Sequence, residues 1–128
     1  MNREFKFRVW DKVNNKMLYW ESMIESETIG SFLDSMHPNY RFWELMQWTG
    51  LLDKNDRDVY EGDVLQHTTS TMRKVVKGYV SFVNGRFVLT HNKVLNKMTG
   101  KLLEAYIYPF IKNFEVIGNI YENPELLK

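Results

Sequence analysis

The fold is decided by one stretch near the middle of the chain, residues 46–65, which reads MQWTGLLDKNDRDVYEGDVL. An apolar run ends at Gly50, a charged turn covers residues 53–58, and a second apolar run begins after Gly62. This order predicts a strand, a tight connection and another strand. Gly50 and Gly62 stand where the backbone needs a positive φ or a close approach.

Strand patterns continue on both sides of this stretch. In residues 5–10, Phe5, Phe7 and Val9 alternate with Lys6, Arg8 and Trp10, which is the two-residue period of a half-buried strand. Residues 74–83 and 86–90 predict two strands joined by Asn84-Gly85, a pair typical of the two-residue turn of a β-hairpin. Short strands at regular intervals favour an antiparallel barrel or sandwich.

Two segments show apolar residues at helical spacing. The first contains Ile29, Phe32, Leu33 and Met36; the second contains Leu95, Met98, Leu102 and Ala105, and Gly100 interrupts it. We therefore expect one or two short helical inserts in a mainly β chain.

Length and composition predict a single domain over residues 1–128. A chain of this size can bury enough surface for a core, and its 44% hydrophobic and 15% aromatic content favours a packed globule over disorder. There is no cysteine, which excludes disulfides and thiolate metal sites. No apolar run approaches the roughly 20 residues of a membrane helix, and no signal peptide is apparent, so we expect a cytoplasmic protein that does not contact membranes.

Three blocks of sequence carry a resemblance to a known family. They are residues 5–11 (FKFRVWD, followed by Met17-Leu18), residues 46–65, and residues 114–127 (FEVIGNIYENPELL). Together they resemble the YopX family of phage and prophage proteins over the full length of the chain. The resemblance implies a small SH3-like antiparallel β-barrel, encoded by a phage or prophage and acting in the cytoplasm of a bacterial host. It implies no activity, because the function of the family is largely unknown.

The charge distribution indicates a candidate binding surface. The net charge is only +1, but residues 64–103 contain no carboxylate and seven cations: Arg73, Lys74, Lys77, Arg86, Lys93, Lys97 and Lys101. Lysine and arginine neutralise phosphates, and nearby aromatics can stack on bases, so this segment predicts contact with nucleic acid. Lysines also protect strand edges from aggregation, which is an alternative explanation of the same pattern.

No residue set in the sequence specifies a reaction or a metal. The carboxylates Asp53, Asp56, Asp58, Glu61 and Asp63 do not fit a calcium loop, and we interpret them as turn residues whose side chains bind nearby backbone amides. His37, His67 and His91 lack the spacing of metal ligands. We therefore predict no catalytic, cofactor or metal residues.

The sequence favours a phage or prophage accessory protein that acts as a non-enzymatic binding module. Its partner is nucleic acid in the first hypothesis. In the second it is a host protein, a phage protein or another copy of the chain, bound through exposed aromatic and strand-edge surface. An uncharacterised enzyme is the third.

Overall fold

The computed structural model describes residues 4–68, 75–108 and 110–128, and it is mainly β. Strands account for 47% of this part of the chain and form two antiparallel sheets, one of them a half-barrel. This part of the chain also contains two short α-helices, of which Ile29–Leu33 lies in the first segment predicted to be helical and Trp20–Glu25 was not predicted. The predicted mainly β, barrel-like fold class is therefore confirmed.

The described ranges contain nine strands and two α-helices. The strands are β1 (Phe7–Asp11), β2 (Lys16–Leu18), β3 (Trp43–Leu52), β4 (Asp58–Tyr60), β5 (Asp63–Thr68), β6 (Val75–Val83), β7 (Arg86–Leu95), β8 (Leu102–Tyr106) and β9 (Glu115–Asn119). The α-helices are α1 (Trp20–Glu25) and α2 (Ile29–Leu33), and short 3-10 helices cover Tyr40–Phe42, Phe110–Asn113 and Pro124–Leu127. One sheet has the order β2-β1-β3-β4 and the other the order β8-β7-β6-β5-β9.

The chain divides into two compact units, and the first is Met1–Trp48. Its core contains Val9, Met23 and Phe32, and the rings of Phe32 and Trp43 pack edge to face with their centroids 4.5 Å apart. Arg8 is also buried, at 5% exposure. The expected half-buried alternation of β1 is therefore wrong at this position, where Arg8 stands opposite the buried Met46 of β3.

The second unit, Thr49–Lys128, contains the five-stranded sheet. Its core consists of Val59, Leu65, Val80, Leu89, Ile107, Ile111, Phe114 and Val116. Leu65, Val80, Leu89 and Val116 come from strands of this sheet and share one of its faces, since side chains alternate between faces along each strand. The other members lie outside the five-stranded sheet. The expectation of a single domain over residues 1–128 stays a prediction.

The turn of residues 53–58 is built around Asp53, which is completely buried. One carboxylate oxygen accepts the backbone N–H groups of Asn55 (2.8 Å) and Arg57 (2.9 Å), and the other accepts that of Val116 (2.9 Å). Burial alone would raise the pKa of Asp53, but these three donors, together with the Arg57 charge, lower the pKa below its ordinary value. The predicted role as a turn residue is confirmed for Asp53.

The other blocks that carry the family resemblance also form turns fixed by a polar side chain. Asp11 accepts the backbone N–H groups of Val13 (2.9 Å) and Asn14 (3.2 Å), and the side-chain amide of Asn14 makes the largest contribution to lowering the pKa of Asp11. Asn119 accepts the N–H groups of Tyr121 (3.1 Å) and Glu122 (2.8 Å). These residues therefore fix local backbone structure.

The glycine and hairpin predictions are confirmed. Gly50 and Gly62 have φ of 82° and 83°. Asn84 and Gly85 have φ of 52° and 79° and join β6 to β7 in a two-residue turn of the I′ kind, whose twist matches that of the flanking strands.

The second predicted helix, at residues 95–105, is wrong. β7 continues to Leu95, a turn follows, and β8 begins at Leu102. A helix with this spacing needs a core behind its apolar face, but Leu95 is 56% exposed and Met98 is 95% exposed. Pairing along β7 instead satisfies the backbone of β8.

Candidate nucleic-acid interface

The tip of the β7–β8 hairpin is a well-fixed turn. The Asn96 N–H donates to the carbonyl of Lys101 (2.8 Å), and the Gly100 N–H donates to the carbonyl of Asn96 (2.9 Å). The Asn96 side-chain oxygen accepts the N–H groups of Met98 (2.9 Å) and Thr99 (3.3 Å). Gly100 takes φ of 71°, which suits glycine. Residues 96–101 are thus held by their own hydrogen bonds, and we call residues 93–101 the basic hairpin.

The basic hairpin presents three exposed lysines: Lys93, Lys97 and Lys101. Within residues 4–68, 75–108 and 110–128, none of the three forms an ion pair. Lys54 and Lys112 differ, because they lie 3.7 Å from Glu115 and 3.3 Å from Asp56. The basic hairpin therefore concentrates charge that no carboxylate of the described chain neutralises.

Lys77 and Arg86 share a face of the sheet but lie far apart. Val83 pairs with Arg86, and Lys77 is six residues before Val83 on the same strand, so a separation of about 20 Å follows from the strand rise. The Arg86 guanidinium lies 4.4 Å from the ring centroid of Tyr106 and donates to its hydroxyl (2.6 Å). Arg73 and Lys74, the other two predicted binding residues, lie outside the described residues.

The carboxylate-free span of sequence does not produce a carboxylate-free surface. Glu115 on β9 pairs with Gln66, which pairs with Lys77 on β6. Residues directly opposite one another share a face, so Glu115 lies two strand spacings, about 10 Å, from Lys77. Glu104 likewise stands opposite Thr90 on β7. The structure places Lys93, Lys97 and Lys101 in one hairpin. Lys77 lies instead on the same face as Glu115, and Arg86 lies on the ring of Tyr106.

Exposed apolar side chains lie in the same hairpin. Val94 is 44% exposed, Leu95 is 56% exposed, and Met98 is 95% exposed. Sequence reasoning missed this exposed segment, because the spacing of Leu95 and Met98 was interpreted as the apolar face of a helix and Val94 was not considered. Their presence between the lysines is the signal that could have identified an exposed amphipathic segment.

A pocket of about 260 Å³, open on one side, lies next to the base of the basic hairpin. Its lining residues come from β5 to β8 and the segment that follows them: His67, Val76, Leu89, His91, Ala105, Tyr106, Phe110, Asn113 and Phe114. The His67 ring packs on Phe114 with the ring centroids 5.4 Å apart. Two histidines that are far apart in sequence therefore line one pocket. His37 belongs to the other unit, where its ring lies 4.8 Å from that of Trp43.

The described residues contain no group of three or more histidine, cysteine, aspartate or glutamate side chains arranged to hold a metal ion. In the same part of the chain, no helix has the length and apolar character needed to cross a membrane.

Fold and site together define a small, mainly β protein with a basic hairpin and an adjoining pocket on its five-stranded sheet. The family model described as YopX protein matches residues 6–128, so the chain belongs to the YopX family. None of the curated proteins matches the sequence.

The solved structures that are similar to this chain include two bacterial proteins. Protein EF1440 from Enterococcus faecalis is 21% identical with a TM-score of 0.59, and the match covers 99% of this chain and 100% of that one. Protein yopX from Bacillus subtilis is 21% identical with a TM-score of 0.56, and the match covers 100% of this chain and 98% of that one. At this identity the likeness shows the fold.

Proposed function

We propose that this chain is a non-enzymatic binding module that contacts nucleic acid through Lys93, Lys97 and Lys101. One observation carries the proposal: three exposed lysines without carboxylate partners in the described chain lie on and beside a turn that is fixed by its own hydrogen bonds. Such lysines can neutralise phosphates and release the counterions condensed on them. A turn that is already ordered loses little conformational freedom on binding.

The proposed setting is the cytoplasm of a bacterium that carries a phage or prophage. The module acts there as an accessory protein, without a reaction of its own. Lysine contacts to phosphate carry no sequence information, so the hairpin binds nucleic acid without reading its sequence.

The test is the salt dependence of binding to duplex DNA. In the triple variant Lys93→Gln, Lys97→Gln, Lys101→Gln, the log–log slope of affinity against salt should become shallower by about 2.7, at about 0.9 for each lost phosphate contact. Fluorescence anisotropy with a labelled oligonucleotide gives this slope when the titration is repeated at salt concentrations from about 50 to about 200 mM.

A matched control removes the same charge elsewhere. The variant Lys12→Gln, Lys54→Gln, Lys112→Gln also loses three positive charges, but each of these lysines is paired with a carboxylate. Its slope should stay close to that of the wild type. The proposal would be contradicted if both triple variants reduced the salt slope equally, or if the wild-type slope were near zero. The other four predicted binding residues are tested in two double variants, Lys77→Gln with Arg86→Gln and Arg73→Gln with Lys74→Gln. Each double variant measures how much its two residues contribute to the salt slope.

The exposed apolar residues of the basic hairpin favour a second candidate, in which the hairpin binds another copy of the chain. Exposed apolar surface on an ordered turn is typical of protein interfaces. Sedimentation at rising protein concentration should then show a dimer that high salt does not dissociate and that the double variant Leu95→Ser, Met98→Ser abolishes. A monomer at every concentration excludes self-association through this hairpin.

A further inference from the structure

We infer that the pocket beside the basic hairpin receives one unpaired base of a single strand whose phosphates lie on the hairpin lysines. This inference rests on the proposed function and adds to it a preference for single strands. It follows from the size of the pocket, the chemistry of its walls and its position relative to Lys93.

The size and walls of the pocket suit a flat ring system. A cavity of about 150 Å³ holds benzene, so a pocket of about 260 Å³ has room for a larger, fused ring. Val76, Leu89 and Ala105 supply apolar wall, and Phe110 and Phe114 supply aromatic faces. Bases stack on such faces with little regard to their identity.

The polar groups of the pocket suit the edge of a base. His67, His91 and Asn113 all line it. A neutral imidazole carries one donor and one acceptor, and an amide carries both, so His67 and Asn113 can match the mixed donors and acceptors of a base edge. A base that remains paired and stacked in a duplex cannot enter a concave pocket, and extruding it costs free energy that an unpaired base does not require.

The pocket and the basic hairpin are continuous along one strand. His91, which lines the pocket, and Lys93 lie two residues apart on β7, in a stretch where the pairing with β8 is irregular. Two residues of extended chain reach at most about 7 Å, so their Cα atoms are no farther apart than that. One nucleotide can thus place its base in the pocket and its phosphate beside Lys93, while Lys97 and Lys101 extend the positive track towards the next phosphates.

Two substitutions test the pocket without changing charge. Ala105→Phe fills it, and Phe110→Ala removes an aromatic wall. Phe110 is 58% exposed, so its truncation should leave the fold intact. Phe82→Ala is the matched control, because Phe82 is 51% exposed and lies about 20 Å along β6 from Val76, outside the pocket.

Anisotropy titrations should use a single-stranded oligonucleotide and a duplex of the same sequence. We expect the wild type to bind the single strand more tightly. Ala105→Phe and Phe110→Ala should each weaken single-strand binding by roughly tenfold, within the range expected for losing one base–aromatic stack. Duplex binding and the response to Phe82→Ala should not change.

The outcomes separate this inference from the proposed function. Pocket variants that weaken both nucleic acids equally, or neither, overturn the inference while the hairpin proposal stands. The inference also fails if the pocket binds free adenosine but its variants leave oligonucleotide affinity unchanged. If the lysine triple variant binds like the wild type while the pocket variants lose single-strand affinity, the hairpin proposal fails and the pocket remains a base site. A thermal unfolding curve for Ala105→Phe that matches the wild type shows that the filled pocket has not disturbed the fold.

Discussion

Replacing Asp53 by asparagine should destabilise the second unit strongly, although the change is nearly isosteric. The carboxylate of Asp53 is fully buried and accepts three backbone N–H groups. Asparagine keeps one acceptor oxygen, and its NH₂ group must face at least one of these donors. The donor that should lose its partner is the Val116 N–H. It is buried, and it is the one backbone donor of the three that binds the Oδ2 atom of Asp53.

The magnitude follows from that conflict. Losing a hydrogen bond to a charged acceptor costs about 1.5–3 kcal/mol, and leaving the buried N–H without a partner adds a desolvation penalty. The two bonds to the remaining oxygen also lose their charge assistance. We expect the free energy of unfolding to fall by about 2–4 kcal/mol at neutral pH.

The control is Asp56→Asn, the same chemical change in the same turn. The Asp56 side chain is 82% exposed, and its ion pair with Lys112 should contribute about 0–1 kcal/mol. Urea unfolding followed by far-UV circular dichroism gives both values, because the signal includes the strands of the second unit, which contains no tryptophan. A loss for Asp53→Asn no larger than that for Asp56→Asn would refute the reasoning.

The stabilisation of the folded protein by Asp53 should depend on pH in a definite direction. The pKa of Asp53 is lower in the folded protein, so its contribution is fully present above the ordinary aspartate pKa of about 3.9 and is lost as the pH falls through the folded value. The difference between wild type and Asp53→Asn should therefore shrink in acid below about pH 4. A difference that grows in acid would contradict the proposed hydrogen-bonding role.

Substituting alanine for glycine should have different effects at three positions. Gly85→Ala, at φ of 79° in the β6–β7 turn, should lower the free energy of unfolding by about 1 kcal/mol, whereas Gly30→Ala, in α2 with open space around it, should raise it by about 0.5 kcal/mol. Gly78→Ala should be the most damaging, because its Cβ would overlap the backbone carbonyl of Thr90 on the paired strand β7. Urea midpoints that follow any other order would contradict this explanation.

The local features of the fold could be predicted because they depend on neighbouring residues. Asn84-Gly85 specifies its turn through the positive φ that both residues tolerate. Residues 46–65 specify strand, turn and strand through Gly50, Gly62 and the buried acceptor Asp53. The family resemblance lies in such residues, so it identified the fold without indicating a site.

The candidate site could not be predicted to the same extent. The sequence showed seven cations in one span, but their distribution over the faces of the sheet depends on strand register. The register separates Lys77 from Arg86 and brings Glu115 towards Lys77. The helical spacing at residues 95–105 misled for a related reason, since periodicity cannot show whether a core lies behind the apolar face.

The sequence by itself therefore determined the mainly β class, the principal turns and the excess of positive charge, because each is encoded by residues close together in the chain. Only the tertiary structure decided that Lys93, Lys97 and Lys101 share an ordered hairpin and that His67 and His91 line one pocket. Those relationships depend on pairing between strands, and a one-residue shift in pairing would move every side chain of a strand to the opposite face.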